Sequence, residues 1–337
     1  MSLCAVTGAS GFIGGRIARR LATAGRELRC LGRVGSDLSG IEALGIPVAR
    51  ADVTDAPALE RALEGVTEIV HCAAMVSDWG TIAEIEATNV TGTANVLRAA
   101  ARAGVRRVVH LSTTDVYGHP GGRAVDESRP PGAFANWYAQ TKLRAEREVL
   151  AAAPGTVVLR PATVYGPGST EVVGEIARAI RGGHMLLIDR GQAVAGLCYV
   201  ENLVDAVELA LDAPHEPNGP LNVADGLGVT WARFTADLAA GLGARQPRLS
   251  LPYRPAAVLA TALECGYRAL RRSTGLSLPP LLSRQAVQVL GRDQGFANLR
   301  LRSELGWEPR VGYEQGLAET LAWLHEWLPA TPHAGAG

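Results

Sequence analysis

The sequence has little of several things, and each shortage removes a class of function. It has no excess charge of either sign: 33 basic and 33 acidic side chains cancel, so nothing electrostatic points to nucleic acid or an anionic membrane as partner. Cysteine is sparse. Cys4, Cys30, Cys72, Cys198 and Cys265 are odd in number and never form a C-x-x-C pair, which fits reduced thiols in a cytoplasmic protein better than a disulfide framework or a metal site. The longest apolar stretch, PAAVLATAL at 255–263, is about half of what a bilayer span needs, so no integral membrane segment is expected. The N-terminus runs directly into LCAVTGASG without a basic segment ahead of a long apolar run, and no signal peptide is expected. No internal repeat recurs at a fixed period.

What is present is an ordinary globular composition: 337 residues, 47% hydrophobic, enough for one large core and a smaller lobe. Short apolar runs (LCAVT, ELRCL, PVARA, TEIVHC, RRVVHLS, TVVLRP) alternate with segments rich in Ala, Leu, Arg and Glu. That alternation implies right-handed βαβ units and an α/β fold, a doubly wound parallel Rossmann sheet. The rhythm loosens after the Gly/Pro-rich RPATVYGPG. The expected division is a dinucleotide-binding domain over 1–168, to which 195–225 return, and a mostly helical substrate lobe from 169–194 and 226–329. Residues 330–337 read as a frayed tail.

AVTGASGFIGGRIARRL places Gly8, Gly11 and Gly14 between the first strand and the first helix. A pyrophosphate needs this arrangement: a tight turn, a backbone without Cβ where the anion approaches, and the free N–H groups of a helix N-terminus. The spacing is G-x-x-G-x-x-G. At the end of the second strand an acidic residue would select a ribose 2′-OH and an arginine a 2′-phosphate. Here the acidic position falls at Gly32 and Arg33 follows, which favours NADP(H), with NAD(H) as the alternative. Asp52, after the third strand, is placed to accept from an adenine amino group and Val53 to pack on the ring.

Tyr138 and Lys142, in NWYAQTKLRAE, are four apart and so share one helix face. The fifth strand ends in hydroxyls at Ser112, Thr113 and Thr114, at the sheet edge where ligands sit in this architecture. A free tyrosine titrates near pH 10, and a neighbouring ammonium favours its phenolate. Lys142 is therefore expected to lower the Tyr138 pKa and let it exchange a proton with an alcohol or ketone, while Thr113 hydrogen-bonds the same oxygen.

At this point the chain resembles the extended short-chain dehydrogenase/reductases, the NAD-dependent epimerase/dehydratase superfamily. The motifs are TGASGFIG, DV at 52–53, HCAA at 71–74, NVTGTANVLRAA from Asn89, STTDVYG, Tyr138-x-x-x-Lys142 and RPATVYGPG. The C-terminal half, from LPYRPAAVLATALECGYRALRR onward, is similar to the 3β-hydroxysteroid dehydrogenase-like branch. The resemblance implies catalysis by Thr113, Tyr138 and Lys142. It implies cofactor contacts at Gly8, Ser10, Gly11, Phe12, Ile13 and Gly14 of the glycine loop, at Arg33, Asp52 and Val53, at Ala73 and Ala74 after the fourth strand, at Pro161 after the sixth, and at Tyr138 and Lys142 themselves. It further implies a fold-supporting Asn89, a MVSDWG loop with Trp79 on the substrate side, and a homodimer through helices near 81–102 and 136–153.

Three activities compete: alcohol/ketone oxidoreductase on a hydrophobic substrate, nucleotide-sugar epimerase or dehydratase, and a non-enzymatic nucleotide sensor. The intact Thr113, Tyr138 and Lys142 set speaks against the sensor. Dehydratases of this superfamily carry Asp-Glu where this chain has Thr114 and Asp115, so the acid is missing. Epimerases carry an arginine that clamps the substrate diphosphate where this chain has Ala195, followed by Gly196; Arg181 or Arg190 would have to substitute. The reading is therefore an oxidoreductase interconverting a secondary alcohol and a ketone on a steroid-like or long-chain small molecule. The apolar helix PAAVLATALECGYRALRR is expected either to line a lipid-like entrance or to pack on the sheet domain.

Overall fold

Each of the six apolar runs forms a strand: β1 (Leu3–Thr7), β2 (Glu27–Gly32), β3 (Val48–Arg50), β4 (Glu68–His71), β5 (Arg107–Leu111) and β6 (Thr156–Pro161). Shorter strands follow: β7 (Thr163–Tyr165), β8 (Leu186–Ile188), β9 (Leu197–Tyr199), β10 (Leu221–Val223) and β11 (Leu249–Leu251). The computed structural model describes residues 2–76, 81–132, 136–152, 155–274 and 282–328.

Seven strands make one sheet in the order β10-β6-β5-β4-β1-β2-β3, and every pairing is parallel. Parallel strands need helical crossovers, which cover both faces. That is why the strand centres, such as Cys4–Val6 and Val157–Leu159, are fully buried and apolar. The order reverses beside β1, with β4 on one side and β2 on the other. The carboxyl ends of β1 and β4 therefore flank the crevice where a ligand fits in a doubly wound sheet.

A second core lies beyond β6. Tyr165, Tyr199, Trp231 and Phe234 pack with the helices Glu175–Arg181, Trp231–Gly241 and Tyr313–Trp327, and β8 pairs with β11. Among the described residues the helix Tyr253–Thr274 packs on Arg284–Gly291 and on Ile188. It buries the small Ala256 and Ala260, while Val258, 72% exposed, and Leu259 and Leu263 lie on its open side.

One buried polar cluster ties the C-terminal segment to the strand pair β7/β9. Asn202 donates to Val311 O and accepts from Val311 N, both at 2.9 Å, and Trp307 Nε1 donates to Asn202 O. The Asp225 carboxylate accepts from Tyr199 N at 2.7 Å and from Asn202 Nδ2 at 3.0 Å. Burial pushes the Asp225 carboxyl up to about 7, against the pull of those two hydrogen bonds. An unfolded aspartate titrates near 3.9, so the stability tied to this group is complete below about pH 4 and is lost as pH rises through about 7. Asp225→Asn removes the titration. The thermal midpoint of the variant relative to the parent should climb by several degrees from mildly acid to neutral pH, and a flat difference would show that Asp225 is ionised at no cost.

Candidate active site

The glycine loop is built by steric demand. Gly8 has φ +68°, and a Cβ there would stand 2.8 Å from Ala73 N; a Cβ on Gly14 would stand 2.3 Å from Gly8 O. Gly11 differs: its Cβ would meet only Gly8 O, at 3.4 Å, and would otherwise project into open space. Gly11 and Ser10 are exposed, and the helix they open, Phe12–Thr23, has no side-chain cap and no acidic residue in its first turn. Free N–H groups, open space and no competing carboxylate fit a diphosphate. Phe12 and Ile13 are half-buried, with Phe12 packed toward the second core and Ile13 toward the sheet.

The floor of the crevice is a chain of hydrogen bonds. The Thr93 hydroxyl donates to Asn89 O at 2.7 Å, so it accepts from His71 Nε2 at 3.0 Å. The other ring nitrogen, Nδ1, then accepts from the Thr7 hydroxyl at 2.7 Å, and Thr7 Oγ1 accepts from Cys72 N and Ala73 N, each at 3.2 Å. These partners assign a neutral His71, in agreement with burial and the Lys142 charge lowering its pKa to about 3. The chain fixes Ala73 and, beyond it, the half-buried Ala74. Asn89, inside the π-turn Ala87–Thr91, holds Met75 through N–H and C=O and donates to Thr141 Oγ1 at 3.0 Å. It thereby joins the loop after β4 to the helix that carries Tyr138.

That helix, Trp137–Ala151, is capped by Asn136, whose side chain accepts from Ala139 N at 2.9 Å. Tyr138, Lys142 and Glu146 follow at four-residue steps on one face. Lys142 is the only lysine in the sequence. It is buried, its Nζ donates to Leu111 O at 2.5 Å, and burial lowers its pKa to about 8 although Cys72 and Glu146 favour the ammonium. The half-buried Tyr138 is hydrogen-bonded by Thr113. Since Thr113 Oγ1 accepts from Asp115 N at 3.1 Å, its proton is available to the phenol.

The expected effect of Lys142 on Tyr138 is not found. Burial and then the Asp115 carboxylate raise the tyrosine pKa, with Glu171 adding to them and only the Thr113 hydrogen bond opposing. Lys142 spends its charge elsewhere, on the β5 carbonyl and on the surroundings of His71, Cys72 and His110. Four-residue spacing brings two Cα atoms to one face but does not aim the ammonium.

Behind the face sits an ion pair that the sequence reading missed. Arg160 grips Glu146 through Nη2 at 2.5 Å and Nε at 2.9 Å, Ser112 donates to the same carboxylate at 2.6 Å, and Arg160 Nη1 donates to Tyr117 OH at 2.8 Å. Tyr117 donates onward to Asn222. Glu146 lies one turn beyond Lys142, the one signal that could have exposed it.

By its sequence position Asp115 is only a departure from the dehydratase pattern. In the structure its carboxylate accepts from Gln285 Nε2 at 2.9 Å, and its charge raises the Tyr138 pKa. Arg33 is exposed just past β2, where its side chain is open to a ligand. Asp52 Oδ1 accepts from Thr54 N and Oγ1 at 2.9 and 2.8 Å, while Val53 is buried among Leu31, Ala51 and Val96 and offers little free surface. Pro161 is buried at the end of β6, in register with Val223. Ala195 is fully buried in the second core, and Gln294 O lies 2.3 Å from where a Gly196 Cβ would stand. Arg190 is exposed, with positive φ, beside Ser250. Trp79 and residues 77–80 lie outside the described residues.

The family model described as NAD dependent epimerase/dehydratase matches residues 4–224. The chain is 33% identical over 320 residues to a 4-hydroxy-2-methyl-3-oxo-4-farnesyl-3,4-dihydroquinoline-1-oxide ketoreductase of Stigmatella aurantiaca, covering 93% of each chain. It is 30% identical over 338 residues to a 3 beta-hydroxysteroid dehydrogenase/Delta 5-->4-isomerase of Mycobacterium tuberculosis, covering 94% of this chain and 88% of that one. Among solved structures, MoeE5 in complex with UDP-glucuronic acid and NAD superposes with a TM-score of 0.74 at 25% identity, over 97% of this chain and all of that one.

The Glu146–Arg160 pair can be tested apart from any reaction. Both partners are buried, so Glu146→Gln leaves a guanidinium without its anion and should cost about 3 kcal/mol in denaturant unfolding, at the lower end for a broken buried pair. It also removes a charge that supports the Lys142 ammonium. The single lysine resonance of isotope-labelled protein should therefore titrate below about 8, and an unmoved titration would disconnect the two groups.

Proposed function

This chain belongs to the NAD dependent epimerase/dehydratase family, and from that premise we propose that it is an NADP(H)-preferring reductase that interconverts a ketone and a secondary alcohol on an apolar small molecule. The observation that carries the substrate side is Ala195. At the position where a sugar-nucleotide enzyme needs a cation for a diphosphate, this chain buries an alanine among apolar residues, and a buried methyl cannot pair with phosphate. Ketone- and hydroxysteroid-converting relatives over nearly the whole chain support the same reading.

When bound, the nicotinamide supplies or accepts the hydride. The chain's own groups do the rest. The glycine loop and the first-helix N-terminus hold the diphosphate, and Arg33 pairs with the 2′-phosphate. Thr113 holds the substrate oxygen and keeps Tyr138 in register. Tyr138 gives its proton to that oxygen in reduction and takes it back in oxidation. Lys142, fixed by Leu111 O, holds a positive charge beneath the reacting centre. The second core and the helices around it form the substrate lobe, over 169–194 and 226–329. We further infer a homodimer through the helices spanning 82–103 and 137–151, which sedimentation would read directly.

Tyr138→Phe removes only the proton carrier and should lower turnover by at least about 100-fold while cofactor affinity stays near that of the parent. Near-normal turnover would discard the mechanism. Arg33→Ala should weaken NADPH binding about 10- to 100-fold, the worth of a charge-assisted pair, with little change for NADH. Equal losses for both would mean that Arg33 meets the adenine or nothing. Competition binding separates the substrate classes: a steroid or long-chain β-keto compound should displace bound substrate, whereas micromolar binding of UDP would turn the reading to a nucleotide-sugar epimerase.

A further inference from the structure

The carboxylate of Asp115 has no part in the proton and hydride transfers, yet it stands at the carboxyl edge of the sheet, in the 3-10 turn Thr114–Tyr117 that follows β5. The Asp115 N–H donates to Thr113 Oγ1 at 3.1 Å, which fixes the turn to the threonine hydroxyl. Its side chain reaches across to the lobe. Oδ2 accepts from Gln285 Nε2 at 2.9 Å, and Gln285 lies in the first turn of the helix Arg284–Gly291. Oδ1 is held differently: among the described residues it accepts no hydrogen bond, and His119 Nε2 lies 3.7 Å away, beyond hydrogen-bond reach. His119 is pinned there. It is buried, it has φ +52°, and its Nδ1 donates to Gln294 Oε1 at 3.1 Å, an assignment set by Gln294 Nε2 donating to Arg292 O at 3.2 Å. Nε2 of that ring has no hydrogen-bond partner among the described residues. Among the same residues His119 is the one ion-pair contact of Asp115, whose side chain keeps 23% of its surface open.

A largely buried carboxylate with no arginine or lysine beside it and one oxygen unfilled is a costly group until a donor reaches it. We propose that Asp115 determines substrate choice: its Oδ1 accepts a hydrogen bond from a hydroxyl that the ketone substrate carries close to its carbonyl. This deepens the proposed ketone reduction and rests on it, since Thr113 is taken to hold the carbonyl oxygen. Two residues separate Thr113 from Asp115, so their Cα atoms are at most about 7 Å apart. A ligand that meets both side chains therefore has its hydroxyl a few bonds from the ketone, as in a β- or γ-hydroxy ketone. Gln285 and the His119 ring flank the carboxylate from the lobe and from the loop after the turn, and this gives Oδ1 a fixed aim. A fixed acceptor discriminates strongly. A ligand with an ether or a methylene in place of the hydroxyl leaves the oxygen unpaired, and a site built for a hydroxyl rejects such analogues far better than an apolar wall would. One polar anchor in an otherwise apolar pocket also decides which way round the substrate enters.

The test compares three probes of equal chain length with NADPH and the full chain: a long-chain β-hydroxy ketone, its O-methyl ether, and the ketone without the hydroxyl. The parent should prefer the hydroxy ketone in kcat/KM by about 10- to 100-fold, the worth of a hydrogen bond to a charged group. In Asp115→Ala that ratio should fall toward one, mainly through KM. Asp115→Asn keeps an acceptor oxygen and should keep part of the preference, and Gln285→Ala, which frees the carboxylate from the lobe helix, should lose part of it. A second readout needs no turnover: the same order of affinities should appear in calorimetric binding of the probes to Tyr138→Phe with NADPH, and should vanish when Asp115→Ala is added. An unchanged Lys142 resonance in Asp115→Ala checks that the site is still folded. Equal ratios in the parent and in Asp115→Ala, with Tyr138→Phe inactive, overturn the role of Asp115 alone. A parent that reduces none of the probes, or an active Tyr138→Phe, overturns the proposed reaction and this inference with it.

Discussion

The buried pair of Glu146 and Arg160 is the joint on which the site depends. It ties the helix of Tyr138 and Lys142 to β6, and through Ser112 it takes in the end of β5, where Thr113 begins. Two ions taken out of water are expensive, and such a pair is retained where its remaining hydrogen-bonding capacity is filled and its geometry specifies something. Here both conditions hold. Glu146 takes three donor contacts, and Arg160 also reaches Tyr117, whose ring lies under the guanidinium.

In front of this joint, burial governs every titration. It drives His71 and His110 toward neutrality, draws Lys142 down to about 8 and keeps Tyr138 protonated. The two histidines, in register on β4 and β5 with ring centroids 5.3 Å apart, form an uncharged floor beneath the lone ammonium. One positive charge above a neutral, water-poor floor is felt more strongly by a bound anion than the same charge in solvent.

The sheet was legible because periodicity and apolar runs are local, and all six expected strands fall within a residue or two of their observed bounds. The glycine loop was legible because Gly8 and Gly14 answer to contacts a few residues away or on the adjoining strand. In the structure Thr113 hydrogen-bonds Tyr138, Lys142 lies one turn further along the same helix with its Nζ on Leu111 O, and Asn89 joins the loop after β4 to that helix. What could not be read was direction. No spacing rule says that Nζ of Lys142 turns to a strand carbonyl, nor that Asp115 meets Gln285 from 170 residues away. The long apolar helix was legible as a pattern but not in its direction: its small inward residues, Ala256 and Ala260, close on a neighbour while Val258 stays outside.

Lys142 has a further consequence because it is the only lysine of the chain. A protease that cuts after lysine has one address here, and that address is buried within a helix between β5 and β6. The folded protein offers it nothing, and the first cut becomes possible only when the helix Trp137–Ala151 opens, whatever frays at the termini or in the lobe. The rate at which two fragments appear is thus a gauge of opening at the helix that carries Tyr138 and Lys142, and any ligand that seats on that helix will be visible as a delay in the cut.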